Sequence, residues 1–117
     1  MGIFKKEAET TIKNSNPRLR TRFYRNSLKE VKDAFQKICI EENKSLRQAD
    51  EYEGKMYIST QTYEIFIKIS SEVVSESSVD LSVRFFQASL KNPKKIIYSL
   101  YKKLDKILVF KGTLQTK

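Results

Sequence analysis

Residues 62–70 read TYEIFIKIS and residues 79–86 read VDLSVRFF. In the first, Tyr63, Ile65, Ile67 and Ile69 alternate with Glu64, Phe66 and Lys68; in the second, Val79, Leu81, Val83 and Phe85 alternate with Asp80, Ser82 and Arg84. Successive side chains of a strand point to opposite faces, so each stretch predicts a strand with one core face and one wet face. Ser75-Glu76-Ser77-Ser78 predicts a longer turn between them, and Glu53-Gly54 separates two further strand candidates upstream. The span from Leu46 to Gln87 therefore predicts four strands.

A helix is expected on either side of this block. Ser27 followed by Glu30 is a capping box, in which the hydroxyl and the carboxylate each satisfy an unpaired N–H of the first turn. Leu28, Val31, Phe35 and Ile38 then form one apolar stripe, with Lys29, Lys32, Asp33 and Lys37 facing water. This helix should end near Asn43, although Glu41 and Glu42 in its last turn oppose the helix dipole, which favours cations there. Downstream, Asn92-Pro93 supplies an N-cap and a first-turn proline. Ile97, Leu100, Tyr101, Leu104 and Leu108 line the apolar face that follows, with Gly112 as its terminator.

Before the first helix, Leu19, Thr21 and Phe23 alternate with Arg18, Arg20, Arg22 and Tyr24, which predicts a strand with Phe23 inward and the arginines outward. Residues 1–17 read as a mobile or loosely packed arm, in which Ile3, Phe4, Ala8 and Ile12 have rough helical spacing before Asn14-Ser15-Asn16-Pro17 breaks it. The expected organisation is that arm, a single domain over 18–112 and a tail over 113–117. The order strand, helix, four strands, helix predicts the α+β class: an antiparallel sheet of about five strands with two helices packed on one face. It is similar in order to several small α+β folds, one half of the TATA-binding protein among them; order alone implies no function.

The chain has 117 residues, ordinary for one domain, and its seven Phe and six Tyr supply large apolar area to one core. Cys39 is the single cysteine, so no internal disulfide forms, which fits a reducing cytoplasm. No stretch nears the roughly 20 apolar residues that span a bilayer, and Ile3 and Phe4 before Lys5 fall short of a signal-peptide core. With no histidine, Ser-His-Asp and Cys-His catalysis and imidazole metal ligation are excluded. Three glycines, at positions 2, 54 and 112, cannot build a P-loop or a dinucleotide-binding turn. No cofactor, metal site or catalytic residue is expected. Cys39 reads as a buried small hydrophobe, and Asp50, Glu51 and Glu53 as a solvated turn.

The net charge of +9 is divided unevenly: residues 1–25 carry +5, residues 26–90 carry −3 and residues 91–117 carry +7. The chain has 17 Lys and six Arg, yet Arg18, Arg20, Arg22 and Arg25 share one short stretch. Arginine's planar fork suits bidentate contact with phosphate or carboxylate; the alternative is an edge strand whose charges block aggregation. On the second helix Lys91, Lys95, Lys102 and Lys106 fall within a narrow arc opposite the core face, with Tyr98 at its edge.

These residues are the candidate binding site for an anionic partner, with Tyr24 or Tyr98 available to stack on a base. Phe66 and Phe86 lie on the outer faces of their strands and are candidate interface residues, unless the arm or a second subunit covers them. The leading expectation is a non-enzymatic binding or adaptor module acting through its sheet surface and basic ends, with a protein partner or a second copy. The alternatives are a nucleic-acid-binding domain and peripheral attachment to an anionic membrane through Ile3, Phe4 and the neighbouring lysines.

Overall fold

The computed structural model describes residues 7–48, 54–86 and 91–113. In chain order they form β1 (Glu7–Glu9), a 3-10 turn (Pro17–Leu19), β2 (Arg22–Tyr24), α1 (Leu28–Glu41), β3 (Ser45–Gln48), β4 (Lys55–Ser59), β5 (Tyr63–Val73), β6 (Glu76–Phe85), α2 (Pro93–Ile107) and β7 (Phe110–Thr113). The strands make one antiparallel sheet of seven, in which β3, β4, β5 and β6 are successive neighbours. Beyond β6, β1 pairs with Ser82–Arg84 and β2 with Ser77–Val79, end to end, and β7 closes the row outside β2. The class is α+β, as expected, with a larger sheet than the five strands anticipated.

The β5–β6 hairpin sets the core face. Ile65, Ile67 and Ile69 stand opposite Val83, Leu81 and Val79, and all six are buried. Met56 and Ile58 of β4 extend this face, and both helices cover it. α1 begins with the expected Ser27–Glu30 capping box and buries Val31, Ala34, Phe35, Ile38 and Cys39. α2 starts where Asn92 accepts a hydrogen bond from the Lys94 N–H, and buries Pro93, Ile97, Leu100, Tyr101 and Leu104.

Several expectations are corrected. Residues 7–11 are not a loose arm: Ala8 is buried opposite Val83, and the Thr10 N–H donates to the Leu81 carbonyl at 2.9 Å. β2 covers only one end of β6, and β1 satisfies the backbone groups that would otherwise stand at an open edge. Ser75–Ser78 is not a long turn, since the hairpin closes through Val74 and Ser75 and Ser77 is buried, donating to the Asn26 carbonyl at 2.8 Å. Gly112 does not end α2; the helix stops at Ile107, and Gly112 lies in β7 opposite Phe23.

The stretch from Arg18 is also not one strand. Arg18 lies in the 3-10 turn, capped by Asn16, and only Arg22–Tyr24 pair as strand. Its faces are inverted relative to expectation. Arg22 sits opposite the inward Val79 and Tyr24 is fully buried, while Phe23 is turned outward and only half-buried.

Candidate functional site: a cavity between the helices and the sheet

The arginine stretch contributes mostly to packing. The Arg18 guanidinium lies 3.7 Å from the centre of the Tyr98 ring, whose hydroxyl accepts from Asn16 Nδ2 at 3.0 Å. Arg20 Nε donates to the Asn14 carbonyl at 2.8 Å. Arg22 lies over the Phe110 ring at 3.8 Å, near Tyr101, and its Nη2 donates to Asp105 Oδ2 at 2.6 Å. The Tyr24 hydroxyl donates to the other Asp105 oxygen at 2.8 Å. Burial, and then the Asp105 charge, pushes the Tyr24 pKa far above its ordinary value. Tyr24 therefore has no face to offer a base, which corrects its assignment as a stacking residue. Tyr98 has one ring face already covered. Arg25 is exposed.

The two basic ends of the chain do meet. Arg18, Arg22 and Lys102 line one cleft of about 140 Å³ with Tyr98, Tyr101 and Asp105. Lys95, Lys102 and Lys106 are exposed along the side of α2 opposite its buried residues, and Lys91, also exposed, precedes the helix rather than lying on it. On the open face of the sheet, Phe66 is 44% exposed beside Tyr57, and Phe86, just past β6, is 53% exposed. Neither is covered by the described part of the chain. Ile3 and Phe4 of the N-terminal arm and Asp50, Glu51 and Glu53 of the acidic turn lie outside the described residues.

A second feature on the helix side is a half-open cavity of about 430 Å³ between α1, α2 and the sheet. Ile38 and Cys39 of α1, Ile58 of β4, Ile65 of β5 and Leu100 of α2 are its buried lining. The remaining lining is more exposed and mostly polar, and includes Glu42, Lys44, Tyr63, Lys91, Asn92, Lys95 and Lys103. An apolar interior with polar groups converging at its opening is the usual constitution of a small-molecule site, and the volume lies within the roughly 300 to 1,000 Å³ such sites occupy.

The opening is organised around Glu42. Its carboxylate pairs with Lys44 at 3.0 Å and with Lys103 of α2, bridging the end of α1 to the second helix. Lys44 Nζ also donates to the Tyr63 hydroxyl at 3.1 Å, and the Tyr63 ring meets Phe85 edge-on at 5.6 Å. The mismatch between an acidic helix end and the dipole is thus answered by two ammonium groups. Cys39 is buried, and burial pushes its thiol pKa up against a smaller opposing effect of Lys44, so the thiol stays protonated and unreactive. Glu42, Lys44, Tyr63 and Lys103 were absent from the residues the sequence singled out as a site. Only the misfit of Glu42 signalled it.

Among the described residues no group of three His, Cys, Asp or Glu side chains converges on a metal position, and no helix is long and apolar enough to cross a membrane. No protein-family model matches the chain, and neither a curated protein nor a solved structure matches it.

Proposed function

We propose that this chain is a non-enzymatic binding module whose ligand enters the cavity between α1, α2 and the sheet. One observation carries the reading: the helix side of the sheet is packed by both helices, yet an apolar space of about 430 Å³ remains between them, bordered by polar side chains. What sets it apart is its constitution, a buried apolar floor with polar groups converging at the rim, which is that of a small-molecule site. Several of the polar residues there are engaged with one another, Glu42 with two lysines and Lys44 with Tyr63, which suits holding a ligand better than transforming it.

The test is titration with N-phenyl-1-naphthylamine, a neutral apolar dye that brightens out of water. The full chain should bind it, and Ser99→Trp, which places a large ring at an exposed lining position of α2, should weaken binding about tenfold with no loss of thermal stability. Absence of dye binding, or equal binding by the variant, refutes the cavity reading.

A second reading, nucleic-acid binding, draws on the meeting of Arg18 with Lys102 beside the exposed Lys95 and Lys106. It is the weaker of the two, because Arg22 and Tyr24 are committed to Asp105. An adaptor surface on the open face of the sheet has Tyr57 and Phe66 as its apolar contact, set among charged residues such as Lys68, Asp80, Glu64 and Arg84.

A further inference from the structure

Resting on the cavity reading, we infer that the ligand is a medium-chain amphiphile with a single anionic head: an alkyl carboxylate whose chain fills the apolar interior and whose head meets Lys95 and Lys103. The interior sets the tail. Its buried lining is Ile38, Cys39, Ile58, Ile65 and Leu100, without a charged group among them, so it favours a hydrocarbon body. Its volume lies at the lower end of the roughly 300 to 1,000 Å³ range of small-molecule sites, which suits a medium chain rather than a long one.

The opening sets the head. Lys44, Lys95 and Lys103 line the cavity against one carboxylate, that of Glu42. The lining therefore carries an excess of positive charge that a cationic or neutral head would not complement. Lys95 is exposed and has no ion-pair partner among the described residues. Ammonium groups act as compact point charges, which suits a small carboxylate better than a flat bidentate partner. The chain already shows the arrangement with its own side chain, since the Glu42 carboxylate is held between Lys44 and Lys103. Glu42 thus occupies lysines that an incoming carboxylate would use, and acts as a built-in competitor.

The experiment displaces bound N-phenyl-1-naphthylamine from the full chain with decanoate, decanol and decylammonium, three probes of equal chain length used below their aggregation thresholds. Decanoate should displace the dye at about a fivefold lower concentration than decanol, with decylammonium the poorest. Lys95→Gln and Lys103→Gln should each erode the preference for decanoate over decanol, and Glu42→Gln should enlarge it, while decanol displaces equally from all three variants. Decanol displacing as well as decanoate, or a Glu42→Gln variant that weakens decanoate, overturns the head-group assignment and leaves the cavity reading intact. No displacement by any probe from a protein that binds the dye overturns the assignment of an alkyl tail. Failure of the dye itself to bind overturns the cavity reading, and this inference with it.

Discussion

Asp105 decides whether the arginine stretch belongs to the fold or to a partner. Its two oxygens accept from Arg22 Nη2 at 2.6 Å and from the Tyr24 hydroxyl at 2.8 Å, joining α2 to β2. Asp105→Ala strands both donors. A buried hydroxyl left unsatisfied costs about 1 to 3 kcal/mol, and a lost hydrogen bond to a charged group about 1.5 to 3 kcal/mol. Breaking a fully buried ion pair costs about 3 to 5 kcal/mol. The Arg22 and Asp105 side chains are 18% and 33% exposed, so water reaches the vacated site and the lower end applies, about 3 kcal/mol. Asp105→Asn keeps an acceptor and should lose about half as much. Tyr24→Phe should cost about 1 kcal/mol alone and close to nothing in the Asp105→Ala background, where the hydroxyl has already lost its partner. Arg22→Gln should also cost more than about 1 kcal/mol, unlike an exposed arginine kept for a ligand. Equilibrium urea unfolding followed by circular dichroism measures all of these. A loss under about 1 kcal/mol for Asp105→Ala, or an equal cost of Tyr24→Phe in both backgrounds, would falsify the account of a structural Arg22–Asp105–Tyr24 cluster.

Deleting residues 1–14 removes β1 and Thr10, whose hydroxyl donates to Asp80 at 2.8 Å and accepts from the Leu81 N–H at 2.9 Å. At about 1 kcal/mol for each of several hydrogen bonds and about 4 °C for each kcal/mol, the thermal midpoint should fall by more than about 10 °C in calorimetry; a shift of a degree or two would mean that β1 is not docked. Alkaline pH gives the other check, because burial is the main cause that raises the pKa of both Tyr24 and Tyr101 above the ordinary value of 10.0. The unfolded chain loses these protons first, so their contribution is intact below about pH 10 and declines as pH rises from there towards the folded values, by up to about 1.4 kcal/mol per pH unit for each tyrosine. Unfolding free energy that stays level between about pH 9 and 11 would contradict the burial of both phenols.

The elements that could be read from sequence are those whose own side chains settle their state. α1 carries a capping box and a stripe at helical spacing, and the β5–β6 hairpin alternates over enough residues for its period to be unmistakable. β1 and β7 span Glu7–Glu9 and Phe110–Thr113, too short for any period to show. They are strands because β6 and β2 offer them edges, a tertiary cause with no local trace. The facing of β2 failed differently. Alternation defines two faces without saying which is inward, and the choice of Phe23 over Arg22 rested on the rule that charge faces water. A carboxylate on α2, separated by 83 positions from Arg22, reverses that rule by providing the arginine with an interior partner.

The cavity was illegible for a related reason. Ile38 and Leu100 were recognisable as core stripe, but a stripe does not reveal how far its helix stands from the next one. That separation follows from packing of the whole layer, so Cys39, Ile96, Ser99 and Lys103, on the flanks of the two stripes, had nothing to distinguish them. The single local clue was an inconsistency. Glu42 follows Glu41 at a helix end whose dipole favours cations, and a sequence that breaks a local rule tends to do so where function or tertiary compensation requires it. Here the compensation is Lys44, just before β3, and Lys103 from α2, and their meeting point is the opening of the cavity. On the proposed carboxylate-binding reading, Glu42 competes with the ligand head for these lysines, so Glu42→Gln should change ligand preference more than it changes stability.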